Sequence, residues 1–365
     1  MLNDVWVEVN ISALKHNFMQ TRSTLSPDTR VMAVVKANGY GHGYIEPARA
    51  FIEAGADYLA VTRLSEALCL RQAKITSPIL LFAPVQSKNV EDAIEADLDM
   101  TIASIPLAKA ISQASLKLKK TARVWVKIDT GMGRLGVAPS EVIEFFETVT
   151  NLPGIQIAGT YTHFARAIDA DISPTNDQFK TFESILASLK SAEIDYGIAS
   201  AANSAAIIRL PKSHLDMARP GTFLYGQYPS SHVPRSLDLR PTWKLKARIC
   251  DIRDIPKGSP IGYGGEFITN RKTRTAIVPV GLADGFTLAP TGPLYRQGIL
   301  RFFAKSRVRP YMQINGVKAQ VLGRVAMQMT ILDVTGIEGV EVGSEVTIPA
   351  MRIPTNPLIP RVYVA

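Results

Sequence analysis

Cysteine is nearly absent: the 365 residues hold only Cys69 and Cys250, far apart and in no metal-ligand or redox spacing. That excludes a disulfide scaffold and a cysteine-based metal centre, and it suits a reducing compartment. No apolar run is long enough to span a membrane, and the opening MLNDVWVEVN carries early acids in place of the apolar core of a secretory leader. The expected location is therefore the cytoplasm, with no membrane partner. No GxGxxG opens the first predicted helix, which counts against a doubly wound dinucleotide fold. Clustered positive charge is also missing. The net charge of +9 favours anionic ligands, but the lysines and arginines are scattered. The densest group, Lys117, Lys119 and Lys120, falls at a predicted helix end, where cations complement the macrodipole and face water. No nucleic-acid partner is expected.

What is present is apolar and regularly spaced. With 46% hydrophobic residues the chain is globular and long enough for one large domain and a smaller one. Residues 5–9 alternate as a half-buried strand, and Ser12 offers an N-cap for a helix through about Leu25. Short apolar runs then recur at 31–36, 57–62, 78–83, 99–103, 122–128, 155–161, 194–200 and 214–225, which makes eight strands. Helix-like stretches separate them, such as 139–152, where Pro139 suits a first turn and Val142, Phe145, Phe146 and Val149 share a face. Eight strand–helix units predict an α/β fold, an N-terminal (β/α)8 TIM-like barrel. After about residue 236 the texture turns to alternating runs (244–250, 274–280, 329–334) with a hairpin signal at Asn315-Gly316, predicting a C-terminal mostly-β domain. The expected boundaries are 1–235 and 236–365, with residues 1–11 free to pair with the second domain. The stretch 284–311, without a clear period, reads as a long excursion.

The chain is organised around VMAVVKANGYGHG, residues 31–43. Here a buried strand ends in a lysine, Lys36, that runs into a glycine-rich turn. A lysine at such a place either snorkels to solvent or does chemistry. Partly desolvated, its amine loses its proton more easily and can form a Schiff base with an aldehyde such as pyridoxal phosphate (PLP). In a barrel the working residues follow the C-terminal ends of the strands. Those positions hold Lys36, Lys127, Arg134, His163, Asn203, Ser204 and Arg219. Ser204 and the Arg-Pro-Gly of 219–221 suit phosphate binding after the last two strands.

These residues carry a resemblance. AVVKANGYGHG, KIDTGMGRLGV at 127–137, YTHFA at 161–165, AANSAA at 201–206, LDMARPG at 215–221, IGYGGEF at 261–267 and LGRVAMQ at 322–328 resemble, in order, the motifs of the alanine racemase family. The resemblance implies a PLP enzyme that interconverts L- and D-alanine, supplying D-alanine for the cell wall. It works as a homodimer with shared active sites on a small amino-acid substrate. It makes Lys36 the Schiff-base lysine and Tyr263, reaching into the partner's site, the second base. Arg219 would bond the pyridine nitrogen, and Arg134 would touch the cofactor phenolate and the substrate carboxylate with help from the Met327 backbone N–H. Tyr40, Ser204, Gly221 and Thr222 would hold the phosphate, and His163 would orient the cofactor side of Arg219. In some members the lysine at the Lys127 position is carbamylated. Racemisation itself asks for two bases flanking one carbon. The chain departs from the pattern at Leu282, Gln328, Ile168-Asp169 and a short tail after Thr347. Leu282 and Gln328 motivate, as an alternative, a racemase or epimerase of a larger or basic amino acid; a non-catalytic PLP-binding protein on the same barrel is a further alternative, against which the β domain and Tyr263 count.

Overall fold

A computed structural model describes residues 3–288 and 309–365, so most of the expected 284–311 excursion lies outside the described residues. The chain opens with β1 (Val5–Asn10), which runs directly into α1 (Ile11–Arg22). Ser12 therefore sits inside the first helical turn and is not its cap. Helix α1 instead uses its side chains to anchor the far end of its own unit. Asn17 Nδ2 donates to Arg240 O at 2.9 Å, and Arg240 N donates back to Asn17 Oδ1 at 2.7 Å. That reciprocal pair carries the first unit on to Thr242, past the expected edge at 235: one unit is Ile11–Thr242, and the other joins the residues up to Asn10 with those from Trp243 on.

Within the first unit eight strands form one parallel sheet: β2 (Arg30–Val34), β3 (Tyr58–Val61), β4 (Ile79–Leu81), β5 (Asp99–Ile102), β6 (Ala122–Lys127), β7 (Ile155–Tyr161), β8 (Ile198–Ser200) and β9 (Met217–Ala218). Their order is β8-β7-β6-β5-β4-β3-β2-β9. The ring is closed just beyond the outer strands by a parallel bridge between Asn203 and Arg219, with Arg219 N donating to Ala202 O at 2.9 Å. The last strand is far shorter than the 214–225 run, because Pro220 has no N–H to give a ladder and 222–225 winds into a 3₁₀ turn. Helices α2 (Ile45–Glu53), α3 (Leu64–Gln72), α4 (Val90–Glu95), α5 (Ile105–Leu118), α6 (Val142–Thr150), α7 (Ser173–Ser191) and α8 (Ser204–Arg209) lie between the strands. The shared face of α6, Val142, Phe145, Phe146 and Val149, is buried.

The interior is filled by Met32, Val34, Ala60, Leu80, Trp125, Tyr161 and Met217, each from a barrel strand. Gly159 on β7 makes room for the indole: a Cβ there would stand 2.6 Å from Trp125 Cζ3. Filling a barrel with side chains closes its bottom and leaves the strand C-termini as the open face.

The second unit is a nine-stranded sheet in the order β11-β14-β17-β16-β15-β18-β10-β1-β19. Its strands are β1 with β10 (Trp243–Arg248), β11 (Asp251–Ile255), β14 (Thr273–Val278), β15 (Tyr311–Ile314), β16 (Val317–Val321), β17 (Thr330–Asp333), β18 (Glu345–Ile348) and β19 (Arg361–Val364). A small ribbon of β12 (Pro260–Ile261) and β13 (Phe267–Ile268) stands apart. Strand β1 pairs antiparallel with β10 and parallel with β19. Between β15 and β16 the Asn315-Gly316 turn has φ of 52° and 78°, the two left-handed positions that match strand twist.

Candidate active site

The first buried strand, β2, ends at Val34, and the chain then does something sequence patterning does not forecast. Ala37, Asn38, Gly39 and Tyr40 all take left-handed backbone angles, with φ from 52° to 57°. Such a run costs about 1–2 kcal/mol for each residue with a Cβ, so it persists only where its surroundings over-determine it. Its effect is to present Lys36 and Tyr40 to the open end of the barrel, where a cavity of about 610 Å³ is lined by both.

The same cavity is lined by Arg134, His163, Ser204, Arg219, Gly221 and Thr222, and by Lys127. All the expected site residues of the first unit are thus brought together. Tyr263 and Met327, which belong to the second unit, are not among the lining residues. Both stand on its surface, 72% and 74% exposed. The Tyr263 turn is flanked by glycines with positive φ and braced by a two-pronged ion pair of Arg324 with Glu266. Met327 O accepts from Ala283 N at 2.9 Å, which ties its loop to the turn holding Leu282.

Positive charge dominates the cavity. Lys36 makes no hydrogen bond or ion pair among the described residues, and burial together with the nearby Arg134 guanidinium lowers its pKa, while Glu66 acts in the opposite sense. Arg134, equally unpartnered among the described residues, is exposed at the rim. The turn carrying it is built by Asp129, whose Oδ1 accepts from Gly131, Met132 and Gly133 N–H at 3.0, 2.8 and 3.1 Å. Burial works against the Asp129 charge, but those three donors outweigh it and hold the carboxyl below its usual range. Burial, reinforced by Arg219, pushes His163 down to about 3, so its imidazole is neutral at any ordinary pH.

Arg219 is the buried centre. Its Nη1 donates to Ser200 Oγ at 2.5 Å, and its Nη2 donates to Thr162 O at 2.5 Å and Ala201 O at 3.3 Å. The guanidinium also lies over the Tyr161 ring, 5.1 Å from its centroid. Those bonds leave the Nε donor and one Nη1 donor without an acceptor among the described residues, in a side chain that lines the cavity. Burial brings its pKa down to about 10, still charged at neutral pH. Beside it, Tyr40 stacks on Tyr225 with centroids 4.7 Å apart, and Ser204 Oγ accepts from Gly221 N at 2.9 Å. A Cβ on Gly221 would stand 2.5 Å from Tyr40 Oη, so any larger residue there must displace the phenol.

Lys127, buried at the end of β6, donates to Ile128 O at 2.9 Å and is brought by burial, then Arg219, to a pKa of about 7. Its folded pKa lies below the ordinary 10.5, so between about pH 7 and 10.5 the unfolded chain holds a proton that the folded chain lacks. Its contribution to stability therefore rises with pH across that window. For cofactor-free protein, Lys127→Met is expected to melt ~3 °C or more above wild type at pH 7, with the gap closing towards pH 10. Thermal melts at a series of pH values check this, and a gap that stays constant with pH contradicts it.

Sequence reasoning missed two acids that shape this site, Glu66 and Asp129. The Asp129 signal was legible in D-T-G-M-G-R, an acid followed by glycines two and four residues on. Glu66 stands at the third position of α3, where a carboxylate can reach back to free N–H groups. Phe82, Leu135, Ile168 and Pro229 add apolar wall to the cavity.

Comparison with known proteins agrees with this geometry. Residues 9–229 match the model of the alanine racemase N-terminal domain, and residues 242–357 match that of the C-terminal domain. The alanine racemase of Methanococcus maripaludis is 40% identical over 346 residues, 94% of this chain and 88% of that protein. That of Desulforamulus reducens is 39% identical over 350 residues, covering 95% and 90%. Among solved structures, alanine racemase of Clostridium difficile 630 superposes with a TM-score of 0.91 at 32% identity, covering 100% of this chain and 96% of that one. The alanine racemase of Bacillus anthracis with bound L-Ala-P gives 0.85 at 27% identity, covering 100% and 96%. With both domain models matched and relatives this similar along nearly the whole length, the chain belongs to the alanine racemase family.

Proposed function

We propose that this protein is a PLP-dependent racemase that interconverts L- and D-alanine, with Lys36 as one base and Tyr263 of the partner subunit as the other. The observation that carries the reading is the convergence, in one cavity, of an unpartnered lysine of lowered pKa with a buried arginine that keeps two donors unmatched. The residues fit the cofactor. Lys36 would anchor its aldehyde carbon, and Tyr40, Ser204, Gly221 and Thr222 would take its phosphate, with the absence of a side chain at Gly221 letting the Tyr40 phenol stand close to the cradle backbone. The unmatched Arg219 donors would meet the ring nitrogen, and a guanidinium that stays charged at neutral pH does not surrender its proton to it. When bound, PLP supplies an electron-poor ring that acidifies the α-hydrogen of an amino acid joined to it.

The protein's part is binding and proton handling. The free guanidinium of Arg134 suits the substrate carboxylate and fixes which way Cα faces. Burial lowers the Lys36 pKa, so its amine gives up its proton more readily than an exposed lysine and suits taking a proton from one face of Cα and returning it. A second acid–base group must serve the opposite face, and Tyr263 is the phenol assigned to it. A homodimer is part of the proposal, because an exposed phenol becomes a base for a shared site only when a partner surface closes over it.

Racemisation measured against a panel of L-amino acids tests the assignment. Alanine should lead; if alanine is among the poorest and a larger or basic amino acid leads, the second reading, motivated by Leu282 and Gln328, replaces the first. The phosphate assignment has its own test. Gly221→Ala should weaken PLP binding by ~10–100-fold, because the new methyl needs the space of the Tyr40 phenol. Equilibrium titration of PLP followed by absorbance would register this, and an unchanged affinity would remove Gly221 from the cradle.

A further inference from the structure

Two loops carry the barrel's working end at β2 and β3, and a single buried acid joins them. Glu66, in the first turn of α3, is only 6% exposed. Its Oε2 accepts from Thr62 N at 2.8 Å and from Arg63 N at 3.1 Å, the N–H groups that lead from β3 into α3. Its Oε1 reaches across to the other loop, accepting from Ala37 N at 2.9 Å and from Tyr44 Oη at 3.3 Å. Ala37 is the first of the left-handed residues and the immediate neighbour of Lys36. Thr62 itself lines the cavity, so the same carboxylate holds one wall in place relative to the lysine.

We infer that Glu66 is a positioning residue for the Lys36 base: its carboxylate clamps the left-handed turn at Ala37 to the end of β3 and so fixes where the lysine amine stands. The inference rests on Lys36 being the base proposed above. A helix cap alone would need only the Thr62 and Arg63 bonds; the Ala37 bond has no capping role, since it belongs to a different strand–helix unit. The requirement is for an acceptor on both oxygens. An amide in this place presents N–H groups to two of the four donors, and one side of the clamp must open. The charge also matters to the lysine. The groups acting on Lys36 are Arg134, from the loop after β6, which lowers its pKa, and Glu66, which raises it.

The test uses full-length Glu66→Gln beside wild type and Lys36→Ala. Lys36 acylation is followed by peptide mass spectrometry as a function of pH before PLP is added, and steady-state kinetics with alanine after. The expected result is a midpoint for Lys36 acylation lowered by ~0.5–1 pH unit, with kcat reduced ~10–100-fold and KM for alanine within about twofold of wild type. A midpoint and kcat equal to wild type, with only a lower melting temperature, would make Glu66 a helix cap and overturn the inference. Failure of the Lys36 assignment looks different: Lys36→Ala would then remain active. Should Glu66→Gln not fold, amide exchange in wild type decides. Slow exchange at Ala37 supports the clamp, and exchange at the rate of open loop contradicts it.

Discussion

Lys36→Ala should lower alanine racemisation by ~10⁴-fold or more and abolish the visible absorbance band that borohydride bleaches in wild type. Two losses combine. The first is the general base, worth about 10²–10⁴ on its own. The second is the covalent anchor, without which PLP is held only through its phosphate and ring. Alanine at 36 is tolerated by the fold, because the Lys36 amine makes no hydrogen bond or ion pair among the described residues and lines a cavity. Lost activity therefore reports chemistry and not unfolding, a point that an unchanged melting curve without PLP would verify. Residual turnover within tenfold of wild type would remove Lys36 from the mechanism, and with it the reason for its lowered pKa to matter.

How much of this was legible beforehand differs by element. The barrel strands read cleanly because a parallel sheet is buried on both faces, so continuous apolar runs such as 31–35 and 124–126 stand out from amphipathic helices. The eighth strand was read too long since apolar residues continue past Pro220 to Tyr225, whereas the strand proper is Met217–Ala218 and 222–225 turns as a 3₁₀ helix. The helix cap at Ser12 failed because β1 passes into α1 with no loop, so the helix begins at Ile11 and Ser12 lies inside its first turn. The turn after Lys36 was legible as a turn from its glycines. Its handedness was not: Ala37 and Tyr40 disfavour positive φ, and contacts from residues distant in sequence, such as Glu66, help to hold the turn there. In the same way the polar positions after the strands could be picked out one by one, whereas the bond pattern that leaves two Arg219 donors unmatched depends on Thr162, Ser200 and Ala201 meeting from neighbouring strands.

Tyr263→Phe is expected to reduce racemisation by ~10²–10³-fold in both directions while leaving proton exchange on one enantiomer. The equality of the two directions is imposed by thermodynamics. Enantiomers have equal free energy in water, so the ratio of kcat/KM for the forward and reverse reactions is one for any variant, and no substitution can make the enzyme one-way. What can become one-sided is exchange. In Tyr263→Phe the Lys36 amine still removes and returns the α-hydrogen on its own face, so one enantiomer should exchange that hydrogen for deuterium from D2O without inverting. The other enantiomer, whose hydrogen faces the missing phenol, should exchange poorly. Mass spectrometry of each alanine enantiomer recovered from D2O separates these outcomes. The turn that carries Tyr263 is braced from its backbone glycines and by the Glu266–Arg324 pair, neither of which uses the phenol oxygen, so phenylalanine fits the same backbone. If both enantiomers exchange at equal rates in the variant, or if racemisation is unimpaired, a single group serves both faces of the carbon and the two-base reading is wrong.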